Sequence, residues 1–182
     1  MKNSLILFFV LLISCDSPYT PKPRALFKLE LPNKVYKKII TNCPFSFDIP
    51  TYAHIINKKD YCFFDIIFPA QSAKIHITYF PLINDLYAHT EESRRLAYKH
   101  NVIADGITEQ LYVNDSLNVY AILYDYVGVT ATSIQFSLTD SVNHFFRGAL
   151  YFNSEINDSI LPVNNFLKED VRYIIESFSW KK

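Results

Sequence analysis

Glycine is scarce in this chain: Gly106, Gly128 and Gly148 are the only three among 182 residues. They stand far apart, which excludes a dinucleotide fingerprint, a Walker A loop and a nucleophile elbow, since each needs glycines within a few residues of one another. There is no excess of either charge. Eighteen Lys+Arg balance eighteen Asp+Glu, so no basic surplus recruits nucleic acid. Long apolar runs are also missing. The longest, Leu5 to Ile13, spans about 13 Å as a helix, far short of a ~30 Å bilayer core. Methionine and tryptophan occur once each, and cysteine three times.

Aromatic residues are abundant. Hydrophobic residues make up 49% and aromatics 16%, with 13 tyrosines and 15 phenylalanines, so the chain has the material for a sizeable core. These rings suit a core with one partner interface. A ligand groove lined by the same side chains is the competing reading.

The amino terminus reads as an address. Lys2 supplies a positive n-region and Leu5 to Ile13 an h-region, the pattern of a signal peptide. Leu12-Ile13-Ser14-Cys15 then resembles the bacterial lipobox. The small Ser14 fits a peptidase subsite, and the Cys15 thiol takes a diacylglyceryl group before cleavage between Ser14 and Cys15. One short acyl chain anchors only marginally, whereas two or three hold stably. Residues 16–24 carry three prolines (Asp-Ser-Pro-Tyr-Thr-Pro-Lys-Pro-Arg), an extended spacer. The expected organisation is a signal peptide over 1–14, a Pro-rich spacer over 15–24 beginning at lipidated Cys15, and a single α+β domain over 25–182. The expected location is the cell envelope, anchored by lipid and facing the periplasm. The near-neutral domain has no charge to bind anionic lipid by itself.

Export places the chain in an oxidising compartment. Cys43 and Cys62 are then the remaining pair, and a bridge between them is worth about 3 kcal/mol on the chain-entropy argument. Two buried free thiols are the alternative. No histidines stand at ligand spacing, so no metal and no cofactor is expected.

Strand patterns recur along the chain. Leu26 to Leu31, Phe45 to Ile49, Phe63 to Phe68 and Ile75 to Tyr79 alternate or run apolar, and three of them stop at prolines. Asn84-Asp85 precedes a helix reaching about His100 or Ile103, with Glu91 placed to meet Arg95 at i,i+4. Strands return at 110–113, 118–127, 131–138 and 144–152, separated by turn-rich clusters. Pro162 opens a last helix over 163–178. Phe166, Val171, Ile174, Ile175 and Phe178 mark its apolar face, and Lys168, Glu169, Asp170 and Arg172 its other one. Strands in runs with two helices predict an α+β fold with an antiparallel sheet flanked by helices.

Chemistry-bearing motifs are sparse. None of His54, His76, His89, His100 and His144 forms a paired ligand set, and no carboxylate pair stands out. Asp125, between Tyr124 and Tyr126, is the least expected charge. It is placed either to form a cross-strand pair with Arg147 or to mark a polar spot in a groove. Tyr124, Asp125, Tyr126 and Arg147 form the candidate interaction surface. Asp115-Ser116-Leu117, Asp140-Ser141-Val142 and Asp158-Ser159-Ile160 repeat an Asp-Ser-aliphatic pattern. It is similar to an O-glycosylation acceptor pattern of some envelope proteins, making Ser116, Ser141 and Ser159 candidates. Asp and Ser also serve simply as turn residues.

Several segments together carry a resemblance over essentially the whole mature chain. They are Tyr19-Thr-Pro-Lys-Pro-Arg24 after Cys15, Cys43-Pro-Phe-Ser-Phe47, Ala73-Lys-Ile-His-Ile77 and Ser93-Arg-Arg-Leu-Ala-Tyr-Lys-His100. Leu123-Tyr-Asp125, Phe136 to Asp140 and Phe146-Arg-Gly-Ala-Leu-Tyr-Phe-Asn153 complete the set. The sequence resembles the gliding-motility lipoprotein family GldD. Tyr126-Val127 before Gly128 departs most from its pattern. The resemblance implies a membrane-anchored envelope protein needed for gliding and for type IX secretion, with no known catalytic activity. Its implied partners are other envelope proteins of that machinery. A Phe-x-Phe start, paired hairpins and a closing helix ending in Ser177-Phe178 are similar to PsbP-like domains, which implies an αβα sandwich. The alternative function is a periplasmic lipoprotein that binds a small ligand or glycan.

Overall fold

Period-two alternation of apolar residues drives one antiparallel sheet, and the two amphipathic segments fold as helices against it. The computed structural model describes residues 29–99, 104–128, 130–154, 156 and 159–181. In chain order the elements begin with β1 (Tyr36–Lys38), β2 (Phe45–Ser46), β3 (Asp48–Pro50), β4 (His54–Asn57), β5 (Phe64–Phe68) and β6 (Ala73–Pro81). Helix α1 (Leu86–Tyr98) follows, then β7 (Gly106–Asn114), β8 (Val119–Val127), β9 (Ile134–Thr139) and β10 (His144–Phe152). Helix α2 (Leu161–Glu176) and β11 (Ser179–Trp180) close the chain.

The main sheet has seven strands in the order β4-β5-β6-β10-β9-β8-β7. Two meanders, β4 to β6 and β7 to β10, meet at the β6–β10 pair. Helix α1 carries the chain from β6 across to the far edge at β7. Two small two-stranded sheets, β1-β3 and β2-β11, lie in the α2 layer. The expected α+β fold with helices on both faces is therefore present.

The two faces differ in chemistry. Toward α2 point Phe64, Ile66, Ile75, Ile77, Phe136, Leu138, Phe146 and Leu150, each at most 1% exposed. Phe45, Phe47 and Phe178 pack over them, with the Phe45 and Phe146 rings edge to face at 4.9 Å. Gly148 sits where the Phe136 ring lies flat on the strand. An added Cβ would stand 2.2 Å from Phe136 Cζ, so glycine is needed there for close approach.

Several expected elements are corrected. Leu29–Leu31 is exposed and is not strand, while Leu26–Lys28 lies outside the described residues. The stretch Phe45–Ile49 splits into β2, paired with β11, and β3, paired with β1. Asp85 does not cap α1 with its side chain; its carboxylate accepts from the Ile83 N–H at 2.8 Å and pairs with His89. Glu91 meets Arg94, and Glu92 meets Arg95, so the helix pairs at i,i+3. The polar side of α2 is not all solvated. Asp170 is 0% and Lys168 7% exposed, because α2 is clasped on both flanks.

One clasp is the amino-terminal arm. The Asp170 carboxylate accepts from Lys34 Nζ at 2.7 Å, Tyr36 Oη at 2.8 Å and Tyr52 Oη at 2.5 Å. Burial, followed by the bond to Asp170, pushes the Tyr36 and Tyr52 phenols well above their ordinary value. Tyr36 also stacks on Tyr173 of α2 at 3.7 Å between centroids. The other clasp is Asp125 on β8, which accepts from Lys168 Nζ and from Arg172 Nη2, the latter at 2.7 Å. A covalent staple, the Cys43–Cys62 disulfide with Cα atoms 5.6 Å apart, joins the segment before β2 to the turn before β5. The bridged alternative is thus the one the fold adopts.

Candidate functional site

The sequence-derived interaction surface does not assemble as one surface. Register explains why. Arg147 pairs across the sheet with Ser137 and Thr78, and Ser137 in turn pairs with Ile122. Asp125 pairs with Ile134 and Thr108, a row whose side chains point to the opposite face. The expected Asp125–Arg147 bridge is absent for that reason, and α2 supplies the partners of Asp125 instead. Tyr124 and Tyr126 are buried, at 4% and 2% exposure, beneath α1. Tyr126 Oη donates to the Ala97 carbonyl at 3.0 Å, and Tyr98 meets Tyr124 edge to face.

The face under α1 is polar where the α2 face is aromatic. Gln135, Ser137 and Ser133 are buried on β9 or just before it, and Arg147 is partly buried beside them. Ser93 and Ala97, the buried residues of α1, are small enough to let the helix approach this layer. His89 stacks against Phe80 and Phe145. Further along, Asp65 of β5 accepts from Lys58 at 2.6 Å and from His76 Nδ1 at 2.5 Å, and the His76 ring meets Tyr151 edge to face. Burial raises the Asp65 carboxyl, but the Lys58 and His76 bonds outweigh it and hold the group below its ordinary value. Among the described residues no three His, Cys, Asp or Glu side chains gather as a metal site.

The two edges of the sheet are unequal. β4 is four residues long and runs into Lys58-Lys59. β7 is nine residues long and, among the described residues, pairs only with β8, in unbroken register from Gly106↔Val127 to Asn114↔Val119. It contains no proline, no lysine and no bulge, the usual protections of an edge. Leu111 and Val113 are 72% and 67% exposed on the α1 side. They border a mainly apolar cleft of about 280 Å³ with Tyr120, Ile122 and Phe145. A second cleft of about 210 Å³ opens on the other face, between Tyr112, Asn114 and the end of α2 at Ile175 and Glu176. Leu111 and Val113 escaped the sequence reading, although the alternation Ile107-Glu109-Leu111-Val113 was visible; what sequence could not show was that β7 lies at an edge.

Ser116 and Ser141 are exposed in the β7–β8 and β9–β10 turns, where Asp140 accepts from the Val142, Asn143 and His144 N–H groups. Ser159 is exposed before α2, and Asp158 lies outside the described residues. Ser14, Cys15, the Pro-rich spacer and His100 also lie outside them. No described helix is long and apolar enough to cross a membrane.

A family model for gliding motility lipoprotein GldD matches residues 16–180. The chain belongs to that family. Membership makes this GldD-family chain a gliding motility lipoprotein, held at a membrane of the cell envelope. No curated protein matches it.

Proposed function

We propose that this GldD-family protein faces the periplasm on a lipidated Cys15 and supports gliding and type IX secretion by contact with another envelope protein, without catalysis. Cleavage after Ser14 frees Cys15, and the spacer to Arg24 gives the domain reach while the anchor raises its local concentration. The observation that carries the contact reading is β7. Its outward N–H and C=O groups form an array that another extended backbone can pair with in register. The occupant is therefore an extended segment of a partner protein, added as an eighth strand. Alternate side chains of that segment would enter the cleft beside Leu111 and Val113 on one face and the cleft beside Tyr112 on the other.

A deletion strain complemented with Leu111→Lys/Val113→Lys tests this. Charges at those edge positions block strand addition while leaving the core untouched. Loss of spreading and of secretion, with normal protein level and membrane fractionation, supports the reading. Full complementation by the variant, or a deletion strain that still spreads and secretes, overturns it. A concentration-dependent dimer of the wild-type chain in light scattering, abolished by the same variant, would assign β7 to a second copy instead.

A further inference from the structure

One end of the sheet gathers exposed apolar side chains on its connections. Register places the turns 58–63, 115–118 and 140–143 and the loop 82–85 at that end. The Cys43–Cys62 bridge, and the Lys181 N–H donating to the Pro44 carbonyl at 2.8 Å, bring segment 39–44 there as well. Each of these connections exposes one large apolar side chain: Ile40, Tyr61, Ile83, Leu117 and Val142. Tyr87, in the first turn of α1, is exposed beside them. At the opposite end Val127 and Leu161 are exposed, but the β5–β6 turn, Pro69-Ala-Gln-Ser72, exposes no large apolar residue.

The turns do not need these side chains. Cys62, Asn84, Asn118 and Ser141, the neighbours of Tyr61, Ile83, Leu117 and Val142, take the left-handed conformation at φ 57°, 58°, 50° and 68°. A polar residue beside each would serve the turn equally well. The acids fold inward: Asp85 accepts from the Ile83 N–H, and Asp140 from the Val142, Asn143 and His144 N–H groups. The connections are also tied to one another. The Leu82 N–H donates to the Asn143 carbonyl at 2.8 Å, Trp180 Nε1 donates to the Asn118 carbonyl at 3.0 Å, and the Trp180 ring stacks on His144 at 4.9 Å.

Single side chains on separate turns suit a fluid apolar phase, which takes each without a matching pocket, whereas a protein partner needs a contiguous apolar core. The cleft of about 330 Å³ between Ile40 and Tyr61 carries Asn57, Lys58 and Asp60, so it is no apolar slot. A bilayer is at hand, since the family holds the chain at a membrane. The amino-terminal arm is fixed to α2 at Lys34, which pairs with Asp170. Nineteen residues of chain link Cys15 to Lys34, a reach of up to about 65 Å, while Ile40 lies six residues past Lys34, at most about 20 Å away. The tether is long enough for this end to meet the surface it is tied to.

We infer that this end of the domain docks on the lipid bilayer, its exposed apolar side chains entering the boundary between headgroups and acyl chains. The inference rests on the anchor, which supplies local concentration. It stands apart from the β7 contact, which lies along a strand and involves backbone pairing.

Trp180 is the only tryptophan of the chain and lies at this end, so it reports docking without a label. The full chain, purified with its lipid, is reconstituted with neutral phosphatidylcholine vesicles, with or without bromine on the upper acyl carbons. The wild-type chain should float with the vesicles, and its fluorescence should be quenched in the brominated ones at low and high salt alike, since no charge drives the contact. Ile83→Asp/Val142→Asp should still float and should melt at the wild-type temperature, because both positions are exposed. It should shift the ratio of docked to undocked chain at least about tenfold toward undocked. A wild-type chain that floats unquenched overturns the docking and leaves the anchor standing; one that does not float overturns both. Quenching that survives in the double variant, or that vanishes in high salt, also overturns the docking. An unquenched wild-type chain whose double variant abolishes spreading in cells would give this end to a protein partner instead.

Discussion

The same seven strands present two unlike faces. Toward α2 the central strands point large apolar side chains, sealed by Phe45, Phe47 and Phe178. Toward α1 the alternate residues include Gln135, Ser137, His76 and Arg147, and one 13-residue helix covers only part of the width. The first face has the composition of a core. The second carries polar groups, the partly buried Arg147 held by Gln135, and an apolar cleft running to the β7 edge. The contrast teaches that one face is enough to specify the fold. The other is free to carry features that cost stability.

The largest effect should come from the α2 face. Phe146→Ala should cost about 3–5 kcal/mol, read from urea unfolding, because the ring is fully buried and its neighbours cannot all collapse inward. Gly148→Ala should cost about 1–3 kcal/mol or more, since the new Cβ meets the Phe136 ring. A loss under 1 kcal/mol for either would show that this face is less tightly packed than described. Opening the Cys43–Cys62 bridge by Cys43→Ala/Cys62→Ala should cost about 3 kcal/mol, checked the same way.

Acid and alkali should separate the two sides of the molecule. Tyr36 and Tyr52 have raised values in the folded state, so their contribution is complete below the ordinary tyrosine value and is lost as pH rises beyond about 10. Tyr36→Phe/Tyr52→Phe should lower stability at neutral pH and flatten its decline in alkali. Asp65 has the opposite sign. Its contribution is present above about pH 4 and fades as pH falls further, so Asp65→Asn should flatten the acid limb alone. Thermal melts from pH 3 to 11 would show both. An alkaline limb unchanged by the tyrosine variants would count against the Asp170 clasp. Smallest of all, Glu91→Ala on the outer surface of α1 should leave the melting temperature within error, because exposed i,i+3 pairs contribute little.

Much of this architecture was readable in advance, but unevenly. The hairpins of β7 to β10 follow alternation broken by Asp-Ser-Asn turns, which are local signals. β1, β4 and β11 were missed, since a two- to four-residue strand has too few alternations to stand out. The polar residues of α2 misled for a different reason. Lys168 and Asp170 look like a solvated helix face, yet each is buried by a partner far along the chain, Asp125 in one case and Lys34, Tyr36 and Tyr52 in the other. Periodicity reports which residues are polar and not which of them will find a distant counter-charge.

The candidate surface shows the same limit. Tyr124, Asp125, Tyr126 and Arg147 were grouped by their proximity to one unusual charge, but a one-residue offset in strand parity sends Asp125 and Arg147 to opposite faces. Leu111 and Val113 carried no mark of exposure until β7 took its place at the edge.

Composition, alternation and turn residues by themselves indicated an α+β chain with an antiparallel sheet and two helices, and left Cys43 and Cys62 as either a bridge or two free thiols until the fold joined them. These are properties of nearest neighbours and of counting. Strand order, parity and burial of charge were decided only when distant segments met. Which strand ended at the edge and which acid became a clasp depend on segments far apart in the chain, more than a hundred residues for Asp170 with Lys34, Tyr36 and Tyr52, and a linear pattern carries no record of them.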